Sequence, residues 1–124
     1  MFEIHLGVPE MEELWDTLQK KHRNGTATKK EEKLRKQMGK AMALLSGNPR
    51  HPGLHSHDIS SLTARNGQNV WESYLENDTS KAGRIFWCYG PGKGDITIVG
   101  LEPHPEDKSS GYKKVTLSAI GKVN

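Results

Sequence analysis

Near neutral pH a protein moves protons and holds phosphates mainly with histidine, arginine, carboxylates and tyrosine. In this chain such residues cluster at the ends of apolar, strand-like runs in its second half. Arg84 opens the most apolar run, Arg84-Ile-Phe-Trp-Cys-Tyr89, and His104 follows the last one, in Gly100-Leu-Glu-Pro-His-Pro105. If the two runs pair antiparallel across a hairpin, Arg84 comes opposite residues 101–103, and arginine and histidine share one end of a sheet. Both lie on one face only in a register that pairs Arg84 with an even-numbered residue such as Glu102, because side chains alternate along a strand. The plainer alternative is an ion pair of Arg84 with Glu72 or Glu102 beside a solvated His104.

Three histidines, His51, His55 and His57, stand close together. On an extended chain His55 and His57 point to the same side, as two metal ligands would. A third and fourth ligand at a characteristic spacing are missing and Cys88 reads as buried, so no metal is expected; contact with a phosphate suits these rings better. The surrounding Asn48-Pro-Arg-His-Pro-Gly-Leu-His-Ser-His57 reads equally as a binding loop and as a stiff connection set by Pro49 and Pro52. Gly90-Pro-Gly-Lys-Gly94 lacks the spacing, the hydroxyl after the lysine and the following helix of a phosphate loop. It reads as a hairpin turn, with Lys93 available to an anionic partner.

The elements that must position these groups follow from periodicity. Phe2–Leu6 reads as a strand ended by Gly7. From Pro9, Met11, Leu14, Trp15 and Leu18 share one helical face, and Asn24-Gly25 stops the helix. Thr28-Lys-Lys-Glu31 has the capping-box pattern, and Leu34, Met38, Ala41, Met42 and Leu45 then recur at helical spacing to about Ser46, making a helical hairpin. Short β-rich runs follow at Leu54–Ile59, Val70–Leu75, Arg84–Tyr89 and Ile96–Leu101. The expected fold is α+β: an N-terminal strand and an antiparallel helical hairpin packed on one face of a three- to four-stranded, mainly antiparallel sheet, with the other face open. Residues 105–124 form a C-terminal extension whose pattern separates neither strand from helix.

At 124 residues the chain accommodates one domain. Its mean hydropathy of −0.75 calls for a thin core. No stretch reaches membrane-spanning length, no leader pattern opens the chain, and a single cysteine fits a reducing compartment; a cytoplasmic protein is expected. The net charge of +3 is uneven: residues 28–50 hold seven basic and two acidic side chains, residues 1–27 three and five, and the remainder is balanced. Such a cationic helix is either a solvated face or a stripe for a phosphate backbone.

With the strand, the hairpin, "NPRHPGLHSH" at 48–57, "VWESYL" at 70–75, "RIFWCYG" at 84–90 and "ITIVGLEPH" at 96–104, the chain resembles the RelE/ParE-like toxins of bacterial toxin–antitoxin pairs. The arginine-initiated strand and the late histidine bring it nearer the ribonuclease branch. That resemblance implies an mRNA interferase: an endoribonuclease that binds the ribosome, cuts messenger RNA without metal or other cofactor, inhibits translation, and is neutralised by a cognate antitoxin. The 2′-hydroxyl would attack the adjacent phosphate, which requires a base, an acid and positive charge on the phosphorane. Carried over, Arg84 would stabilise the phosphate and His104 would be acid or base, with Tyr112 standing for a tyrosine found late in some relatives. Where some relatives offer lysines this chain has Glu72 and Tyr74; Glu72 would repel phosphate unless it is a base or pairs with Arg84. His55 or His57 could supply the second proton-transfer group. Lys36, Lys40, Arg50, His55, Tyr74 and Lys93 would contact RNA. The rival expectations are a ParE-like gyrase inhibitor without catalysis and an inactive module that binds an antitoxin or RNA.

Overall fold

The first helix, α1 (Glu10–Asn24), has one apolar face, and in a computed structural model describing residues 1–63, 69–75 and 83–102 that face is buried: Met11 and Leu18 fully, Leu14 and Trp15 in part. Pro9 sits at the cap position rather than inside the helix, so acidic Glu10, Glu12 and Glu13 occupy the first turn and Lys21, His22 and Arg23 the last. Both groups complement the helix dipole. Gly25 takes a left-handed φ of 70° and ends the helix, a conformation that costs glycine little.

The capping box at the start of α2 (Lys29–Gly47) forms as its sequence specifies. The Glu31 N–H donates to Thr28 Oγ1 at 3.1 Å, and the Thr28 N–H donates to Glu31 Oε1 at 3.0 Å. Lys21 Nζ reaches Glu31 Oε2 at 2.7 Å and His22 reaches Glu32 at 3.0 Å, tying the two helices together beside their connection. The Lys21 hydrogen bond, then that of the Thr28 backbone, holds the Glu31 carboxyl down at about 2, against an ordinary value of 4.5. A carboxyl whose pKa is depressed by folding stabilises the native state above its unfolded value, and that contribution is lost as pH falls through the folded value. Thermal melts are therefore expected to lose part of their stability between pH 4.5 and about 2. In Glu31→Gln that segment of the profile should flatten.

Among the described residues one sheet of five strands carries the rest: β1 (Glu3–Leu6), β2 (His57–Thr63), β3 (Asn69–Tyr74), β4 (Arg84–Tyr89) and β5 (Asp95–Glu102), in the order β1-β5-β4-β3-β2. The expected three to four strands are thus corrected to five, and the sheet is mixed. β1 runs parallel to β5, from Glu3↔Asp95 to Leu6↔Ile98, while the other neighbours are antiparallel. The end of α2 holds β1 in place: the Phe2 N–H donates to Ser46 O at 2.8 Å, and Ser46 Oγ donates to Phe2 O at 2.7 Å.

Both helices pack on the face formed by Ile85, Trp87, Ile96, Ile98, Leu75 and Leu101, with Ile4, Leu6 and Trp71 at its margin. The opposite face was expected to be open, and it is not. Val70, Phe86, Cys88, Thr97 and Val99 are all fully buried there. The physical reason stands in β4 itself, whose residues are apolar at both parities, the pattern of a strand buried on two sides. Burial pushes the Cys88 thiol up to about 11, leaving it an inert packing group. Among the described residues no helix is long and apolar enough to cross a membrane.

Candidate functional site

Pro52 and Gly53 cannot sustain a strand, and Pro52–Leu54 instead forms a single 3₁₀ turn, capped by His51, whose Nδ1 accepts from the Gly53 N–H at 3.0 Å. His55 follows in the left-handed region at φ 49°, uncommon for a residue with a Cβ. The strand expected from Leu54 therefore begins only at His57. This turn swings the chain so that His57 enters the ladder directly across from Glu72.

Across the sheet the register is Tyr74↔Arg84↔Glu102. It pairs Arg84 with an even-numbered residue, the condition for a shared face. A β-bulge between Phe86 and Trp87 makes this possible: Phe86 pairs with Gly100 and Trp87 with Ile98, leaving Val99 as the extra residue. Before the bulge the even-numbered Ile96 and Ile98 face the helices; after it the odd-numbered Leu101 does. Glu102 is thereby turned to the side of Arg84. Gly100 within the strand was the available signal of a bulge.

The resulting cluster has measurable geometry. His57 Nε2 lies 3.1 Å from Glu72 Oε1, and Arg84 Nη1 lies 3.8 Å from both Glu72 Oε2 and Glu102 Oε2. The Glu72 side chain is 1% exposed, Arg84 30% and His57 49%, so the carboxylate is sunk beneath an arginine and a histidine that reach the surface. His57 Nδ1 faces the His55 carbonyl at 3.1 Å. A carbonyl only accepts, so Nδ1–H is the donor in this contact. The guanidinium of Arg84 stands over the Tyr74 ring, 5.7 Å from its centroid, and the His55 ring lies 5.6 Å from the same ring. Arg84, Glu72, His57, Tyr74 and His55 thus form one surface. The ion-pair geometry weighed for Arg84 is present with both glutamates, at distances longer than a hydrogen bond.

The other candidate residues lie around this cluster or away from it. Lys40 and Tyr74 line a cleft of about 470 Å³ with Gln37 and His51. Lys36 is exposed on α2, one turn before Lys40, and Arg50 is exposed beside Asn48, whose Oδ1 accepts its N–H at 3.0 Å. Lys93 is at the tip of the β4–β5 hairpin, the opposite end of that strand pair from Arg84. His104, Tyr112 and the extension 105–124 lie outside the described residues.

Among the described residues, those placed to converge on a cation are not the loop histidines but Glu3, His5 and Asp95, on the β1–β5 margin. There His5 Nε2 lies 3.1 Å from Asp95 Oδ1. His5, then the Gly92 N–H, lowers the Asp95 carboxyl below its ordinary value. The pair is a surface contact that needs no metal.

No protein-family model matches the chain, and no curated protein and no solved structure is significantly similar to it.

Proposed function

We propose that the chain is a RelE/ParE-like toxin of the ribonuclease branch: a cytoplasmic endoribonuclease that cuts messenger RNA on the ribosome and is restrained by a cognate antitoxin. The observation that supports this reading is the convergence of a histidine–carboxylate pair and an arginine on one surface, at 3.1 and 3.8 Å around Glu72. Attack of a 2′-hydroxyl on the neighbouring phosphate needs a base to take its proton. The proton would pass to the His57–Glu72 pair, whose Nε2 and Oε1 are 3.1 Å apart, with the carboxylate balancing the positive charge the ring then carries. Glu72, expected to repel phosphate, is spent on His57 and Arg84 instead. The dianionic phosphorane is stabilised by the exposed N–H groups of Arg84. The 5′-oxygen leaves with a proton from an acid, for which His104 is the candidate, and the products are a 2′,3′-cyclic phosphate and a 5′-hydroxyl. Tyr74 and His55 offer ring faces for the flanking bases, and Lys36, Lys40 and Arg50 offer charge for the backbone.

A non-catalytic reading, as a gyrase inhibitor or binding module of the same fold, is favoured by one observation: Arg84 already faces two carboxylates at 3.8 Å. Expression of the chain alone separates the two. The nuclease reading expects translation arrest and ribosome-dependent cuts ending in 2′,3′-cyclic phosphates. Cutting should fall about 10²-fold in His57→Gln and in His104→Ala. Arrest that survives both changes, with DNA damage in place of cut messages, would move the assignment to gyrase. An isolated chain that neither cuts nor slows growth would end the toxin reading.

A further inference from the structure

We infer that Ser73 is a positioning residue whose hydroxyl, through a one-way hydrogen-bond chain from Trp87 to Pro49, clamps the histidine-bearing segment 49–57 to the sheet. Trp87 Nε1 donates to Ser73 Oγ at 2.8 Å, Ser73 Oγ and Ser56 Oγ are 2.7 Å apart, and Ser56 Oγ donates to Pro49 O at 2.7 Å. The direction is forced by inventory. An indole N–H only donates and a carbonyl only accepts, while each hydroxyl has one proton to give. Ser56 gives its proton to Pro49, so Ser73 must give its own to Ser56 and accept from Trp87. All three donors are used.

The position of this chain gives it a role beyond satisfying buried groups. Pro49 O and Ser56 Oγ lie near the two ends of the segment that carries His51, His55 and His57, so their bond closes it, and Ser73 ties the closed segment to a fully buried tryptophan. Ser56 immediately precedes His57 and Ser73 immediately follows Glu72, so the hydroxyl pair adjoins the terminal rung His57↔Glu72. Side chains alternate along strands, so the hydroxyl pair lies on the helix side and the histidine–glutamate pair on the other. Fixing the first pair fixes the register of the second. The group that faces His57 across the sheet is Glu72 on β3, which Arg84 of β4 also approaches, with the His55 carbonyl at its Nδ1 and the Tyr74 ring beside it. A slip of this segment would take the ring away from its carboxylate.

The clamp is independent of the ribonuclease reading, whereas its effect on cutting rests on it. The test is native-state amide exchange on the isolated chain in Ser73→Ala, Ser56→Ala and Ser73→Thr. Loss of either hydroxyl should speed exchange at His51, Leu54 and His55 by about 5- to 10-fold, with the amides of α1 and of Ile85–Tyr89 unchanged. Ser73→Thr, which keeps the hydroxyl on a residue suited to strands, should restore protection. Exchange that stays at the wild-type rate in Ser56→Ala, or that rises equally across the whole chain, would overturn the clamp, including where Ser73→Ala does not fold. With ribosomes present, both alanine variants should lower the single-turnover cleavage rate and leave the half-saturating ribosome concentration unchanged. A wild-type chain that never cuts would end the nuclease reading while the exchange result still decides the clamp.

Discussion

On the proposed ribonuclease reading, Arg84→Ala is expected to slow single-turnover message cleavage by about 10²- to 10³-fold, the cost of removing one well-placed donor from a site where negative charge develops. The phosphorane carries more charge than the phosphodiester it comes from, and Arg84 is the guanidinium placed beside the His57–Glu72 pair. Its position is set from three sides, by Tyr74 and Glu102 across the ladder and by Glu72 diagonally. Arg84→Lys should recover only part of the rate, because an ammonium keeps the charge and loses the planar fork. The fold should survive the change. Arg84 is partly exposed and its contacts with the two glutamates are long, so the loss should be about 1 kcal/mol rather than the ~3–5 kcal/mol of a broken buried pair. Programmed ribosomes and a melting curve measure the two effects separately. Cleavage within about 3-fold of wild type would reduce Arg84 to a structural ion pair.

The largest effect on stability is expected at Trp87, where replacement by alanine should cost about 3–5 kcal/mol in chemical denaturation. Trp87 is fully buried at the centre of the sheet, stacked on Trp71 with ring centroids 5.7 Å apart and edge-on to Tyr89 at 5.0 Å. Removing it leaves a cavity on the face that both helices cover, and it strips Ser73 of its donor. Against a typical domain stability of about 5–15 kcal/mol, that is a large share. Trp87→Phe keeps most of the ring and loses the N–H, so about 1–2 kcal/mol is expected. An alanine variant weakened by less than about 1 kcal/mol would mean that the core does not depend on this ring.

Local features were the ones legible in the sequence. The Thr28–Glu31 box, the two helical stripes and the run Arg84–Tyr89 all appear where short-range pattern puts them, because each depends on neighbours within a turn or two. Long-range pairing was less readable. A parallel strand has no hairpin to announce its partner, so nothing around Glu3–Leu6 pointed to Asp95–Ile98. The buried second face follows from β4, whose residues are apolar at both parities. In the site, the pairing of Arg84 with Glu102 was within reach, whereas the burial of Glu72 beneath His57 was not. That depends on where β2 starts, and a 3₁₀ turn moved the start from Leu54 to His57.

The parallel pairing of β1 with β5 also sets an order of events as the chain emerges during synthesis. Residues as distant as Glu3 and Asp95 must meet. Closing so long a loop costs entropy that only the finished contact returns. The helical hairpin and the β2–β3–β4 meander can form from what has already emerged, but β1 waits for β5. Since β5 also brings Glu102 to Arg84, the step that joins β1 to β5 follows the one that supplies the arginine's second carboxylate. On the proposed reading, a half-made chain has no finished cutting surface, and a ribosome making this protein is not exposed to it until synthesis has passed β5.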